Sequence, residues 1–327
     1  MQIDIDGTAH LGARTVPVPR TVSAEAQRFL ATPPWPEPPP PWDQLPMWKM
    51  RPATDTLFRQ LSDLARTLHP VTIEATTVGG VRAQIVRPLE IPVEHRHRVL
   101  INLHGGGFVL GAGSLIEAIP IAHLTRTPVI AVDYRLAPEH RFPAAVDDAL
   151  AVYRAVLADH DACHVGIYGA SAGGMLTAQA VVRIEREALP PPACVGLFTM
   201  SGDFEDYGDT AKIFSLAGFW GHPVLPTDHA CSEARAYLGD ADRRDPLVSP
   251  IHADLTHFPP ALLVSGTRDA LLSSTTIFHR ALRRAGANAD LFVFEAMPHA
   301  HWYLTSLPES QEALRVMAQF FDAHLAG

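Results

Sequence analysis

Val165-Gly166-Ile167-Tyr168-Gly169-Ala170-Ser171-Ala172-Gly173-Gly174-Met175-Leu176 is the stretch that decides how this chain is read. It opens as an apolar run suited to a buried strand and closes on small and apolar residues suited to a helix start. Between them, Gly169-Ala170-Ser171-Ala172-Gly173 has the GxSxG spacing of a sharp strand-to-helix turn with serine at its apex. Such a turn strains the serine backbone and exposes Oγ, and the flanking glycines remove side chains that would collide there. The pentad alone fits an ordinary glycine-rich turn equally well, so its meaning rests on the rest of the chain.

Upstream, Val99, Leu100, Ile101 and Leu103 read as a buried strand running into His104-Gly105-Gly106-Gly107-Phe108. Consecutive glycines let backbone N–H groups point into open space, where they can hold developing negative charge. Downstream, Ala261 to Ser265 is another buried strand, ending in Gly266-Thr267-Arg268-Asp269. Next comes Leu291 to Phe294, ending in Glu295-Ala296-Met297-Pro298-His299. Taken singly, the aspartate is a turn residue or helix cap, and one histidine among 17 is incidental. Together they follow two successive late strands in the order Ser, Asp, His, which is that of α/β-hydrolases. Open α/β sheets bind ligands outside the carboxyl ends of their strands, where all three residues fall.

The remaining pattern alternates. Val71 to Val78 and Val81 to Val86 flank Gly79-Gly80 as a hairpin. Strands follow at Val99–Leu103, Val129–Val132, Val165–Tyr168, Val195–Met200, Leu262–Ser265 and Leu291–Phe294. Helices are expected over Ala144–Leu157, Met175–Glu187, Ser274–Ala285 and Glu309–Leu325. This predicts an α/β fold: a mostly parallel central sheet with helices on both faces, made mixed by the opening hairpin.

These motifs, with Asp133-Tyr134-Arg135-Leu136-Ala137-Pro138-Glu139-His140, Phe142-Pro143-Ala144-Ala145, Asp245-Pro246-Leu247-Val248-Ser249-Pro250 and Met297-Pro298-His299, resemble the hormone-sensitive-lipase-like carboxylesterases, bacterial family IV. The resemblance covers roughly residues 80 to 325. It implies an α/β-hydrolase fold with a helical lid, a Ser171–Asp269–His299 triad and no cofactor or metal. The oxyanion donors it implies are the N–H groups of Gly106, Gly107 and Ala172. His104 and Gly105 would support that loop, and Asp133, Tyr134, Arg135 and Glu139 would buttress it. The chain departs from the family pattern at Ala170, where Asp or Thr is usual, and at Ala300-His301, where Gly-Phe is usual. The second departure leaves His301 as a rival base two residues beyond His299. The implied activity is serine carboxylesterase action on short-to-medium acyl esters through an acyl-enzyme. A lactonase, amidase or acyltransferase could use the same triad. A non-catalytic receptor on this fold would be expected to lose a triad member.

The lid is expected from two places. About sixty residues separate Met200 from Ala261, far more than a crossover helix needs. Residues 201–254 are read as the second lid segment and residues 1–70 as the first, with 71–200 and 255–327 forming the catalytic domain. Met47, Trp48, Met50, Phe214, Phe219 and Trp220 are candidate pocket residues. Within the first segment, Ser23 suits a helix cap. Pro33 to Pro41 form an extended proline-rich piece, and Leu57, Leu61, Leu64 and Leu68 mark one face of a helix.

The 327 residues carry a net charge of -9, which argues against nucleic-acid or anionic-membrane partners. Cys163, Cys194 and Cys231 are odd in number and irregularly spaced, so no disulfide framework or zinc pattern follows. Cys163 and Cys194 are expected to be small buried hydrophobes. Met1 to His10 lack a signal-peptide pattern, and no apolar stretch reaches bilayer length, so a soluble cytoplasmic protein is expected. The family resemblance places Leu291–Phe294 at the sheet edge, and an apolar edge strand without lysine or proline suggests a homodimer paired through it; if the terminal helix Glu309–Leu325 covers this edge, a monomer is expected instead.

Overall fold

The computed structural model describes residues 2–5, 9–10, 15–32, 46–214 and 232–326. Two short strands, β1 (Gln2–Ile3) and β2 (Ala9–His10), pair antiparallel. The main sheet has eight strands: β3 (Val71–Val78), β4 (Val81–Pro88), β5 (Val99–Leu103), β6 (Val129–Val132), β7 (Val165–Ala170), β8 (Cys194–Phe198), β9 (Ala261–Arg268) and β10 (Ala289–Pro298). Their spatial order is β10-β9-β8-β7-β5-β6-β4-β3. Only the pairings of β4 with β3 and β6 are antiparallel. The hairpin turn is made by Gly79 and Gly80, both at positive φ (57° and 82°), where a side chain would be strained.

The helices are α1 (Ala24–Ala31), α2 (Arg51–Leu68), α3 (Ala118–Thr125), α4 (Ala144–Val156), α5 (Ala172–Arg186), α6 (Thr210–Ile213), α7 (Ser232–Leu238), α8 (Leu272–Arg284) and α9 (Pro308–His324). One sheet face packs on α4, α5 and α8 through residues such as Leu150, Leu176 and Phe278. The other packs on α3 and α9, backed by α1 and α2, through Ile119, Leu314, Phe321 and Ala65. With helices on both faces, β5 to β8 are buried along their whole length. They therefore read as apolar runs and not as alternating patterns.

Three details differ from the sequence reading. The leucine stripe of α2 is only partly its packed face: Leu64 and Leu68 are 48% and 50% exposed and Leu61 is half-buried against the core, while Ser62 and Ala65 are buried. Apolar spacing does not reveal that a serine and an alanine take the most buried positions of this helix. Helix α3 itself is absent from the periodic reading because it is buried almost all round, leaving no amphipathic period to detect. Cys163 is exposed, in a short turn before β7; only Cys194 is the buried hydrophobe expected. Cys231 and the proline-rich piece from Pro33 to Pro41 lie outside the described residues. The Ser23 cap is present, its Oγ accepting the Ala26 N–H at 3.0 Å. Among the described residues no helix is long and apolar enough to cross a membrane.

Candidate active site

Strand β7 ends at Ala170, and α5 begins at Ala172. Ser171 between them has φ 56° and ψ -121°, a conformation that a residue with a Cβ adopts only under constraint. Its N–H donates to the Phe198 carbonyl at 2.9 Å, which fastens the turn to the end of β8. Gly173 has to be glycine, because a Cβ there would run into the Leu103 carbonyl of β5.

The loop after β5 lies beside this turn. A Cβ placed on Gly105 would sit 3.6 Å from the Ser171 Cβ. Gly106 has φ 125° and accepts the N–H groups of Val109 and Leu110 on its carbonyl, at 3.0 and 2.9 Å. In the planar trans peptide that follows, the Gly107 N–H points the opposite way from that bonded carbonyl. Among the described residues, neither the Gly106 nor the Gly107 N–H donates to a backbone carbonyl. The Ala172 N–H belongs to the first turn of α5, where no earlier helical carbonyl can receive it.

His104 braces the loop, its Nδ1 lying 2.8 Å from the Gly105 carbonyl and its ring stacked on Tyr134 at 4.3 Å. Tyr134 donates its hydroxyl to the His104 carbonyl at 2.7 Å, and Asp133 accepts the Gly113 N–H at 3.2 Å. The other two expected buttresses act differently. Arg135 pairs with Asp148 in the second turn of α4, and Glu139 takes both terminal nitrogens of Arg51 at 2.8 Å. Arg51 also donates to the Val109 and Ala137 carbonyls, and Asp55 accepts the Gly111 N–H at 3.2 Å. Helix α2 is thus hydrogen-bonded to the glycine loop through its own first turns.

Asp269 follows β9 and is fully buried. Its Oδ1 accepts the His299 Nδ1–H at 2.9 Å and the Leu271 N–H at 2.9 Å; its Oδ2 accepts the Ser265 hydroxyl at 2.8 Å. Those donors fix the carboxylate's orientation. His299 follows β10 and is buried, with Thr199 Oγ1 3.1 Å from the same Nδ1. His301 opens a short turn after it. It is buried between the rings of Phe294 and Trp302, at 5.0 and 5.2 Å, and makes no hydrogen bond to Asp269.

Of the pocket candidates, Met47, Trp48 and Met50 sit in a short 3-10 helix, Met47–Met50, that packs against α7. Trp48 is half-buried against the main core. Phe214 is half-buried at the end of α6, a helix held to the Asp269 loop by the Thr210 hydroxyl on the Ala270 carbonyl at 2.9 Å. Phe219 and Trp220 lie outside the described residues. Tyr237 of α7 was not among the candidates, yet it stacks on Phe108 of the glycine loop at 3.7 Å and 7°.

A strained serine between strand and helix, an adjacent glycine loop and a buried Asp–His pair, all at one end of a mostly parallel sheet, define an α/β-hydrolase. A family model described as alpha/beta hydrolase fold matches residues 100–303. The chain is 32% identical to the acetyl-hydrolase of Streptomyces hygroscopicus over 256 residues, 76% of this chain and 81% of that protein. It is 30% identical to the carboxylesterase NlhH of Mycobacterium tuberculosis over 262 residues, 75% of this chain and 80% of the relative. Among solved structures, esterase E25 matches with a TM-score of 0.85 and 32% identity, covering 97% of this chain and 99% of that one. An esterase from the bacterial hormone-sensitive lipase family matches with a TM-score of 0.75 and 28% identity, over 93% and 99%. The chain belongs to the α/β-hydrolase family, among its hormone-sensitive-lipase-like bacterial esterases.

Proposed function

We propose that this protein is a serine carboxylesterase acting on short-to-medium acyl esters, with Ser171 as nucleophile, His299 as base and Asp269 as its orienting acid. The observation that carries this reading is the buried Asp269–His299 hydrogen bond, at the same sheet end as the strained Ser171 turn. Because Nδ1–H is committed to Asp269, proton acceptance falls to Nε2. Ser171 Oγ then attacks the ester carbonyl as Nε2 takes its proton. The N–H groups of Gly106, Gly107 and Ala172 stabilise the oxyanion; one such donor is worth roughly 3 kcal/mol. The imidazolium returns its proton to the leaving alcohol. Water, activated by the same ring, adds to the acyl-enzyme and releases the acid. The test is hydrolysis of p-nitrophenyl acetate and butyrate, with a fluorophosphonate probe to mark the serine. Absence of both turnover and labelling would favour a binding protein on this fold.

The lid reading joins residues 1–70 with 201–254 around domain 71–200 and 255–327. The packing of Met47–Met50 on α7 supports it by bringing the two segments together. Trp48 and Phe214 are bulky, and a lid built from such residues shortens the acyl pocket. A methylene that no longer fits forfeits about 0.8 kcal/mol of burial and can add strain, and with the length limit that the family resemblance implies, turnover is expected to fall steeply beyond about eight carbons. A series of p-nitrophenyl esters from acetate to palmitate checks this. Equal rates on butyrate and on dispersed long-chain triglyceride would contradict it.

Assembly belongs to the same reading. Strand β10 is an outer strand of the sheet, and Phe292 and Val293 are 45% and 41% exposed on it. Two such edges pairing antiparallel about a two-fold axis would close a dimer. Light scattering is expected to give twice the 35.6 kDa chain mass. Val293→Asp is expected to return it to the monomer mass. A dimer that survives this change would be held elsewhere.

A further inference from the structure

Glu117 stands alone among apolar residues, in Leu115-Ile116-Glu117-Ala118-Ile119. It occupies the N-cap position of α3, yet its side chain makes no capping bond there. The carboxylate turns away from the helix into the space behind the site, where it is 3% exposed. Oε1 accepts the Gly105 N–H at 3.0 Å and the Tyr303 hydroxyl; Oε2 accepts the Ala170 N–H at 3.1 Å and the Asn102 amide at 3.1 Å.

These donors come from the loops that carry the chemistry. Gly105 precedes the oxyanion glycines, Ala170 precedes Ser171, and Tyr303 lies in the turn after His299. An ionised carboxylate is acceptor-only, with about four lone-pair sites. Here those sites meet four donors. No other side chain of this size can do that. A glutamine would turn an NH2 toward two donors and break one pair. Burial outweighs the pull of the surrounding donors and leaves the Glu117 carboxyl raised to about 7.

We propose that Glu117 is a positioning residue for the reaction. Its carboxylate fixes the oxyanion glycines, the serine turn and the histidine loop relative to one another, so that the donors face the position of the oxyanion. The proposal rests on the Ser171 mechanism above. It makes the placement of Gly106, Gly107 and Ala172 a property of one buried acid, and not only of loop backbone. A misplacement of the order of an ångström at such a site costs about a hundredfold in rate.

The experiment compares Glu117→Gln, Tyr303→Phe and Ser171→Ala with the unsubstituted protein. It measures kcat and KM on p-nitrophenyl butyrate, and the Ki of an alkyl trifluoromethyl ketone, which adds the serine and places an oxyanion in the hole. Glu117→Gln is expected to lower kcat by about a hundredfold with KM within about threefold, and to raise the ketone Ki as kcat/KM falls. Tyr303→Phe keeps the carboxylate and removes one donor, so it should lose about tenfold in kcat. A folded Glu117→Gln protein with kcat within about threefold of the original, or with a loss confined to KM and an unchanged ketone Ki, would overturn the proposal. Should Glu117→Gln fail to fold, Tyr303→Phe decides, and an unchanged kcat and ketone Ki there would overturn it. The Ser171→Ala arm keeps the two readings apart. If Ser171→Ala still turns over, the mechanism falls. If it is inactive while Glu117→Gln is unimpaired, only the assignment of Glu117 falls.

Discussion

Ser171→Ala is expected to abolish ester hydrolysis while the protein stays folded. The loss should be about ten-thousandfold or more, because triad members act as a unit and the remainder contributes little without a nucleophile. The fold has no reason to suffer. Alanine keeps the Cβ, so the strain at φ 56° is the same in both proteins. The bond that anchors the turn uses the Ser171 N–H and the Phe198 carbonyl, both backbone. The residue is half-buried, so removing one hydroxyl leaves no sizeable cavity. Steady-state rates on p-nitrophenyl butyrate, a thermal melt and fluorophosphonate labelling check the three parts. Activity within a few-fold of the original, with a labelled peptide elsewhere, would remove Ser171 as nucleophile.

What the sequence discloses about this molecule is what repeats or punctuates. The buried strands appear as apolar runs because both sheet faces are covered, and the glycines of the serine turn and of the loop after β5 stand out because a side chain there would collide or be strained. The long connection after Met200 stands out in the sequence by its length alone. Other features leave weaker traces. The Leu57-to-Leu68 stripe has helical spacing, but which face packs depends on the neighbouring elements, and there Ala65 and Ser62 are the buried positions while Leu64 and Leu68 stay exposed. Arg51 and Tyr237 reach the glycine loop from distant segments, so only the fold brings them there. Glu117 did leave a signal. A single acid within an apolar run has to find donors or stay protonated, and that alone marks it for attention.

His299→Ala should lose about ten-thousandfold in kcat, and His301→Phe should lose little. The reason is geometric. The His299 Nδ1–H is held by Asp269 at 2.9 Å, whereas His301 packs between Phe294 and Trp302. The two changes should separate on a second axis. Burial pulls the His301 pKa from the ordinary 6.5 down to about 3, so the folded protein keeps it neutral while the unfolded chain protonates it. Stability tied to this ring is therefore present above pH 6.5 and lost as pH falls from there toward 3. His301→Phe keeps an aromatic ring without a titrating group. Its melting temperature should fall less between pH 7 and pH 4.5 than that of the unsubstituted protein. The slope should shrink without vanishing, because buried His69, lowered to about 4, obeys the same linkage. Melting curves across that range, alongside kcat for both variants, give the result. If His301→Phe is inactive and His299→Ala active, the base lies two residues further on, and the Asp269 contact is only structural.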